Sequence, residues 1–203
     1  MKANKLFKTI LFLFIIFFEQ NAFSQDSTIV LVKLKKTNSA FEVVNGNALD
    51  TAIKNSYFQK YLFVDSLLQS VSVYDMDKKL YDGIYNNALT LFEYKKDTLK
   101  FIKLYDKNNR RVAEGFMGYW SIEFSYDNKR RIIMETYKDT ANNLVKYYPN
   151  FDFKPPYIKY KYLAKNKCMR ELCDNTKTVQ FIDTCDCPKL SYKLKNWYDF
   201  DFL

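Results

Sequence analysis

The chain has 203 residues, a formal charge of +9, 18% aromatic residues, and only four glycines and four prolines. So many aromatics with so few glycines and prolines exclude a disordered or low-complexity chain. The absence of histidine removes Ser-His-Asp triads, Cys-His dyads and HExxH zinc sites together.

Residues 1–25 carry Lys2, Lys5 and Lys8, an apolar run from Ile10 to Phe18, and then the small residues Ala22 and Ser24. That order of regions predicts a secretory signal peptide cleaved after Ser24 or Gln25. The chain is therefore expected to be exported to the periplasm, the cell surface or the exterior, with no membrane span after processing. Removal of residues 1–25 takes away three lysines and one glutamate and leaves +7. Lysines and acids then alternate along the chain, which reads as a solvated mixed surface and not as a nucleic-acid face.

Residues 26–60 read as N-terminal strands with a short helix. "STIVLVKLKK" is strand-like, and Asn45-Gly46 inside "FEVVNGNALD" is a hairpin signal. The stretch "ALDTAIKNSYFQKYL" predicts the helix, starting near Asn47 or Asp50.

Residues 61–148 contain a repeat. "LQSVSVYD" from Leu68 returns as "LKFIKLYD" from Leu99, and "RIIMETYKD" from Arg131 supplies a third copy. In that copy Arg131 takes the leucine place, Met134 and Thr136 the apolar places, and Tyr137-Lys138 the closing pair. Tyr61-x-Phe63, Phe92-x-Tyr94 and Phe124-x-Tyr126 lie upstream of the copies, with Leu80, Val112 and Leu144 downstream, a period of 31 to 32 residues. A finer aromatic step of 10 to 11 residues suggests three strands per repeat. Asn and Asp fill the turns between them, since both tolerate the left-handed conformation. Strand alternation puts Val71, Ile102 and Met134 on one face and Ser72, Lys103 and Glu135 on the wetter one.

The pattern F-x-Y, turn, L-x-x-I-x-L-Y-D, Asn or Lys, then Arg or Lys resembles the tyrosine-rich YD-type and MORN-type β-hairpin repeats of exported bacterial proteins. The resemblance covers residues 61–148, with Asn109, Lys129 or Asn143 where the family's turn has glycine. It implies a repeat sheet that serves as a surface, binding or toxin-associated scaffold, and it transfers no catalytic residue.

Residues 149–203 read as a separate C-terminal element, because Pro149, Pro155 and Pro156 cannot donate to a ladder and are expected to end the meander. Cys168, Cys173, Cys185 and Cys187 fall within it. In an exported chain they are expected to pair as nested rungs, Cys168 with Cys187 and Cys173 with Cys185. A four-thiolate metal site and a redox-active pair are the alternatives.

No phosphate-cradling or nucleophile-elbow motif occurs, and no cofactor is implied. Paired carboxylates are the remaining catalytic option. The candidates Asp65, Glu93, Glu114, Glu123 and Glu135 each read as turn or solvent-facing strand, so none is assigned a catalytic role. Tyr74, Tyr105, Tyr126 and Tyr137 end strands, where they could form an aromatic platform for a glycan or protein surface. The expected fold is mainly β: an antiparallel meander of roughly 32-residue three-strand repeats, a short N-terminal helix and a disulfide-stapled C-terminal element. The expected function is an exported, non-enzymatic binding or scaffold protein with an envelope protein or glycan as partner. A carboxylate-dependent polysaccharide hydrolase is the alternative.

Overall fold

The structure is a computed structural model that describes residues 26–36, 41–45, 53–83, 87–113, 118–146, 155–163 and 166–188. The expected signal peptide, Gly46, residues 47–52 at the start of the expected helix, Glu114 and Pro149 lie outside the described residues. Among the described residues, eleven strands form a single sheet in the order β11-β10-β9-β8-β7-β6-β5-β4-β3-β1-β2. They are β1 (Ser27–Lys36), β2 (Phe41–Asn45), β3 (Tyr57–Val64), β4 (Leu67–Tyr74), β5 (Leu89–Lys95), β6 (Thr98–Tyr105), β7 (Ser121–Tyr126), β8 (Ile132–Lys138), β9 (Tyr157–Tyr162), β10 (Lys167–Cys173) and β11 (Val179–Asp186). From β3 to β11 every neighbour in sequence is a neighbour in the sheet, the antiparallel meander that the sequence predicts.

Over its described residues, 53–62, the expected short N-terminal helix is replaced by other structure. Residues 53–56 make a turn, and Tyr57 to Leu62, assigned to that helix, enter β3. Gln59, Tyr61 and Phe63 alternate as buried residues along a β-rich run, with Phe58 buried on the opposite face, and this pattern outweighs the helical reading because the residues bury against β1 and β4.

Among the described residues, each of the first three copies shows two strands and not three. The third position is a single bridge: Tyr74 with Leu80, Tyr105 with Arg111, and Lys138 with Leu144. These bridges follow identical five-residue loops. Asp75, Asp106, Asp127, Asp139 and Asp174 each open a loop, and each Oδ1 accepts the N–H groups two and four residues on at 2.8–3.0 Å. The fourth residue, Lys78, Asn109, Arg130, Asn142 or Lys177, has φ between 59° and 68°. This is a type I turn followed by a left-handed residue, with aspartate in the position where its side chain caps the turn. By contrast, β3–β4 and β5–β6 close with the two-residue turns Asp65-Ser66 and Lys96-Asp97, all four at positive φ.

A bulge sets the frame of the repeats. Phe63 pairs with Leu68 but Leu62 with Ser70, so Gln69 is the extra residue; Lys100 and Ile133 take the same place in β6 and β8. Beyond the bulge, Leu68, Val71 and Val73 share a face, as do Leu99, Ile102 and Leu104. In the third copy the equivalent residues are Ile132, Glu135 and Tyr137, because Ser70, Phe101 and Met134 hold one register place and Val71, Ile102 and Glu135 the next. The third copy is thus shifted by one residue from the alignment on Tyr137. Met134 is not equivalent to Val71 and Ile102, and Glu135 stands where they do. Val112 likewise matches Tyr81 and Val145, whose N–H groups bond the carbonyls of Val73 and Tyr137 as Val112 bonds that of Leu104.

The meander does not end at the prolines. Pro155 and Pro156 directly precede β9, where a missing N–H leaves no ladder bond unmade, and the Pro156 carbonyl accepts the Tyr137 N–H at 2.9 Å. β9 and β10 form a fourth copy: Tyr160-x-Tyr162 corresponds to Phe124-x-Tyr126, and Asp174 opens the same loop. Residues 155–186 therefore extend the repeat sheet. After this last loop the single bridge of earlier copies is replaced by the full-length β11, which caps the array.

The core lies on the face holding Val30, Val32, Leu34, Tyr61, Phe63, Val71, Phe92, Ile102 and Phe124, called here the inner face. Tyrosines stitch its copies together: the hydroxyls of Tyr94, Tyr126 and Tyr162 donate to the carbonyls of Leu68, Leu99 and Ile132 at 2.9, 2.7 and 3.0 Å.

Candidate binding face

The middle row of the inner face runs across the sheet through Tyr61 and Val71, Phe92 and Ile102, then Phe124. At β8 its chemistry changes. Glu135 continues the row on β8; it opposes Ile158 across the β8–β9 seam, and Tyr160, two residues on along the same face of β9, reaches it by its hydroxyl and is followed by the directly paired Arg170 on β10 and Asp183 on β11. An apolar stripe becomes an alternation of carboxylate, phenol, guanidinium and carboxylate.

Each of these groups is held by a neighbour. The Tyr160 hydroxyl donates to Glu135 Oε1 at 3.0 Å, and Tyr137, on the same strand as Glu135, donates to Oε2. Burial first, and the Glu135 charge second, push the Tyr137 and Tyr160 phenols far above the ordinary tyrosine range. In this arrangement both phenols act as donors to the Glu135 carboxylate. Arg170 grips Asp183 with both ends of its fork, Nε to Oδ1 at 2.9 Å and Nη2 to Oδ2. That hydrogen bonding holds the Asp183 carboxyl below the usual range.

Around the row, cover thins towards the array end. Tyr137 is 2% exposed while Phe181 on β11 is 54% exposed. Tyr162, on the inner face of β9, carries Arg131 over its ring at 4.2 Å. The result is a half-open patch with two aromatic surfaces, Tyr162 and Phe181, flanking the Arg170–Asp183 pair.

The four predicted platform tyrosines do not share a surface. Tyr74 lies on the outer face, stacked on Phe58 with centroids 4.9 Å apart, and Tyr105 on the same face meets Trp120 edge-on at 6.2 Å. Tyr126 and Tyr137 point to the inner face, where their hydroxyls are engaged by Leu99 and Glu135. The copies align Tyr74 with Tyr105 and with Lys138, which is why the sequence frame mixed the two faces.

Among the predicted carboxylates, Asp65 sits in a turn, Glu93 pairs with Lys103 at 2.6 Å, and Glu123 with Lys138 at 3.2 Å. Glu135 is the exception: it lies on the inner face, half-buried. Aligning the copies on the aspartates Asp75, Asp106 and Asp139, and not on the tyrosines, would have placed it there. Arg170 would have followed from counting back from Asp174 in the same way.

The cysteines keep one expected rung and lose the other. Cys168 is bonded to Cys187. Cys173 and Cys185 are both free. Cys173 faces Val179, whereas Cys185 faces Cys168 at the far end of the strand pair. Several residues at ~3.4 Å each separate them along β11, well beyond what a disulfide spans. Among the described residues, no group of three or more His, Cys, Asp or Glu could hold a metal ion, and no helix is long and apolar enough to cross a membrane.

Comparison with family models, curated proteins and solved structures returns no match.

Proposed function

We propose that this chain is an exported, non-enzymatic protein of YD-type or MORN-type hairpin repeats that binds a protein or glycan of the bacterial envelope or exterior. The observation that carries this reading is the break in the inner face at β8, where a core stripe turns into Glu135, Tyr160, Arg170 and Asp183 beside the exposed Phe181. A core needs no charged row there, and an aromatic surface beside a fixed guanidinium suits a polar ring or a peptide group. The lysine, apolar and small-residue order of residues 1–25 supports export, and the Cys168–Cys187 bond suits an oxidising compartment.

Two measurements test the proposal. Intact-mass analysis of the native protein should give a chain that starts at Gln25 or Asp26; recovery of Met1 would end the export reading. Immobilised protein should retain a defined component of envelope extract, glycan or protein, and Phe181→Ser should weaken that retention at least tenfold. Phe181 is suited to the test because it is exposed, so its loss leaves the core untouched. Equal retention by Phe181→Ser and by the parent would remove this patch as the binding face.

A further inference from the structure

We propose that Cys168, Cys185 and Cys187 form a thiol–disulfide exchange site at the C-terminal edge of the sheet, in which Cys168 trades its bond to Cys187 for a bond to Cys185. Cys168 has two partners within reach. Its Cα lies 5.0 Å from that of Cys187, to which it is bonded. Cys185 is its directly opposed residue in the β10–β11 ladder. Directly opposed residues of an antiparallel pair lie about 4.5–5.5 Å apart, inside the range that disulfides span. The ladder also puts Cys168 and Cys185 on the same face, so their side chains project together.

Exposure divides the roles. Cys168 is fully buried, and Cys185 and Cys187 are half-exposed. The buried sulfur is the shared centre, and the two half-exposed sulfurs take turns as its partner. Cys173 plays no part: it is buried away from the other three, its thiol donates to the Glu171 carbonyl, and burial pushes that thiol up, which disfavours its thiolate.

The step is balanced within the chain. The Cys185 thiol gives its proton to solvent, and the thiolate attacks Sγ of Cys168. The Cys185–Cys168 bond forms as the Cys168–Cys187 bond breaks, and the Cys187 thiolate leaves and takes a proton from solvent. One disulfide and one thiol are present before and after, so no oxidant or reductant is consumed. The consequence is positional: the free thiol moves from within the last strand to the residue beyond it, beside Pro188 at the end of the described chain.

Cross-link mapping tests the site without altering it. The intact protein is held at pH 8 under native conditions, quenched with acid, alkylated, and cleaved on the N-terminal side of aspartate, which separates Cys185 from Cys187 at Asp186. The Cys168–Cys185 cross-link is expected at roughly one-tenth or more of the abundance of Cys168–Cys187, the share for two bridges within ~1.4 kcal/mol of each other. Finding the Cys168–Cys187 link alone, with Cys185 wholly alkylated, would overturn the proposal. Cys187→Ser gives a second reading: it should carry a Cys168–Cys185 bond, and two free thiols at these positions after air oxidation would equally refute the site. Should Cys187→Ser not fold, the mapping of the unaltered chain decides alone.

Discussion

Glu135 occupies the register place of Val71 and Ile102, two core residues; it is half-buried there, and both of its oxygens accept phenol hydrogens. A carboxylate brought out of water must be hydrogen-bonded or it costs several kcal/mol. An isoleucine at this place would match the other copies in shape, but it would take the acceptor from both the Tyr137 and Tyr160 hydroxyls. Glu135→Ile is therefore expected to lower stability by about 1–3 kcal/mol, and Glu135→Gln, which keeps an oxygen, by less. Adding Tyr160→Phe to Glu135→Ile should recover part of the loss, since one stranded donor disappears with it. Urea denaturation of the three variants checks the order. A double variant less stable than Glu135→Ile alone would mean that the hydroxyl is not what Glu135 serves. The same phenols set the alkaline limit. Burial pushes Tyr61 and Tyr126 up to about 12 and raises Tyr94, Tyr137 and Tyr160 as well. A raised tyrosine favours folding below its unfolded value near ~10 and loses that contribution as pH climbs through the folded value. Asp106, Asp127, Asp174 and Asp183 are lowered by their hydrogen bonds, so their contribution holds above ~4 and fades as pH falls. With no histidine in the chain, the melting temperature should be flat between about pH 5 and 8, dropping on either side. A step near pH 6.5 in a thermal scan series would contradict this assignment.

At the scale of the element, the hairpins were legible in the sequence and their frame was not. Tyr61-x-Phe63, Phe92-x-Tyr94 and Phe124-x-Tyr126 do hold equivalent places, because each pair is spaced two apart on one face and no bulge intervenes within it. The downstream strands carry the bulge at Gln69, Lys100 and Ile133. An extra residue flips which positions face inward, a change that leaves no mark on composition. Tyrosine was the conspicuous residue, yet aspartate is the one whose position geometry fixes: its carboxylate must sit where two N–H groups converge. Tyrosine can close a strand, as Tyr74 does, or lie one place earlier, as Tyr137 does. The fourth copy was hidden for a related reason, since Cys168, Arg170 and Leu172 replace the apolar and tyrosine pattern while Asp174 persists. The loops also hold latent stability. Arg130 has φ of 59° in a conformation that costs most residues about 1–2 kcal/mol, whereas Asn109 at 60° tolerates it better. Arg130 also neighbours the Asp127–Arg131 pair without joining it, so Arg130→Gly changes the backbone alone. Arg130→Gly is expected to raise the urea midpoint, by more than Asn109→Gly does. A fall in midpoint for Arg130→Gly would show that the side chain, and not the backbone, governs that loop.

Across the whole molecule, the sheet is an array of hairpins joined by narrower seams. Within hairpins the register spans most of both strands, from Phe58–Tyr74 to Val64–Leu67 in β3–β4 and from Cys168–Tyr162 to Cys173–Tyr157 in β9–β10. Between copies it shrinks to three pairs: Ser70 to Ser72 with Leu91 to Leu89, Phe101 to Lys103 with Glu123 to Ser121, and Met134 to Thr136 with Lys159 to Tyr157. An array of this kind loosens locally, with each hairpin opening as a unit and communicating chiefly with its neighbours. The Cys168–Cys187 bond acts at one end of it and closes a separation of 19 residues, which in the chain-entropy account contributes ~3 kcal/mol. Its reduction should therefore be felt first in β10 and β11, then through the three-pair seam in β8, and scarcely in β3 to β6. Hydrogen exchange with and without reductant reads this directly. Amides of Met169, Glu171, Phe181 and Asp183 should lose protection by one to two orders of magnitude, as an end-local loss of ~1.4–2.7 kcal/mol implies, while those of Val71 and Ile102 keep theirs. Parallel loss of protection at Val71 and Asp183 would show the sheet to be one cooperative unit despite its seams, because a bond at one edge could then reach the far copies only by unfolding the whole.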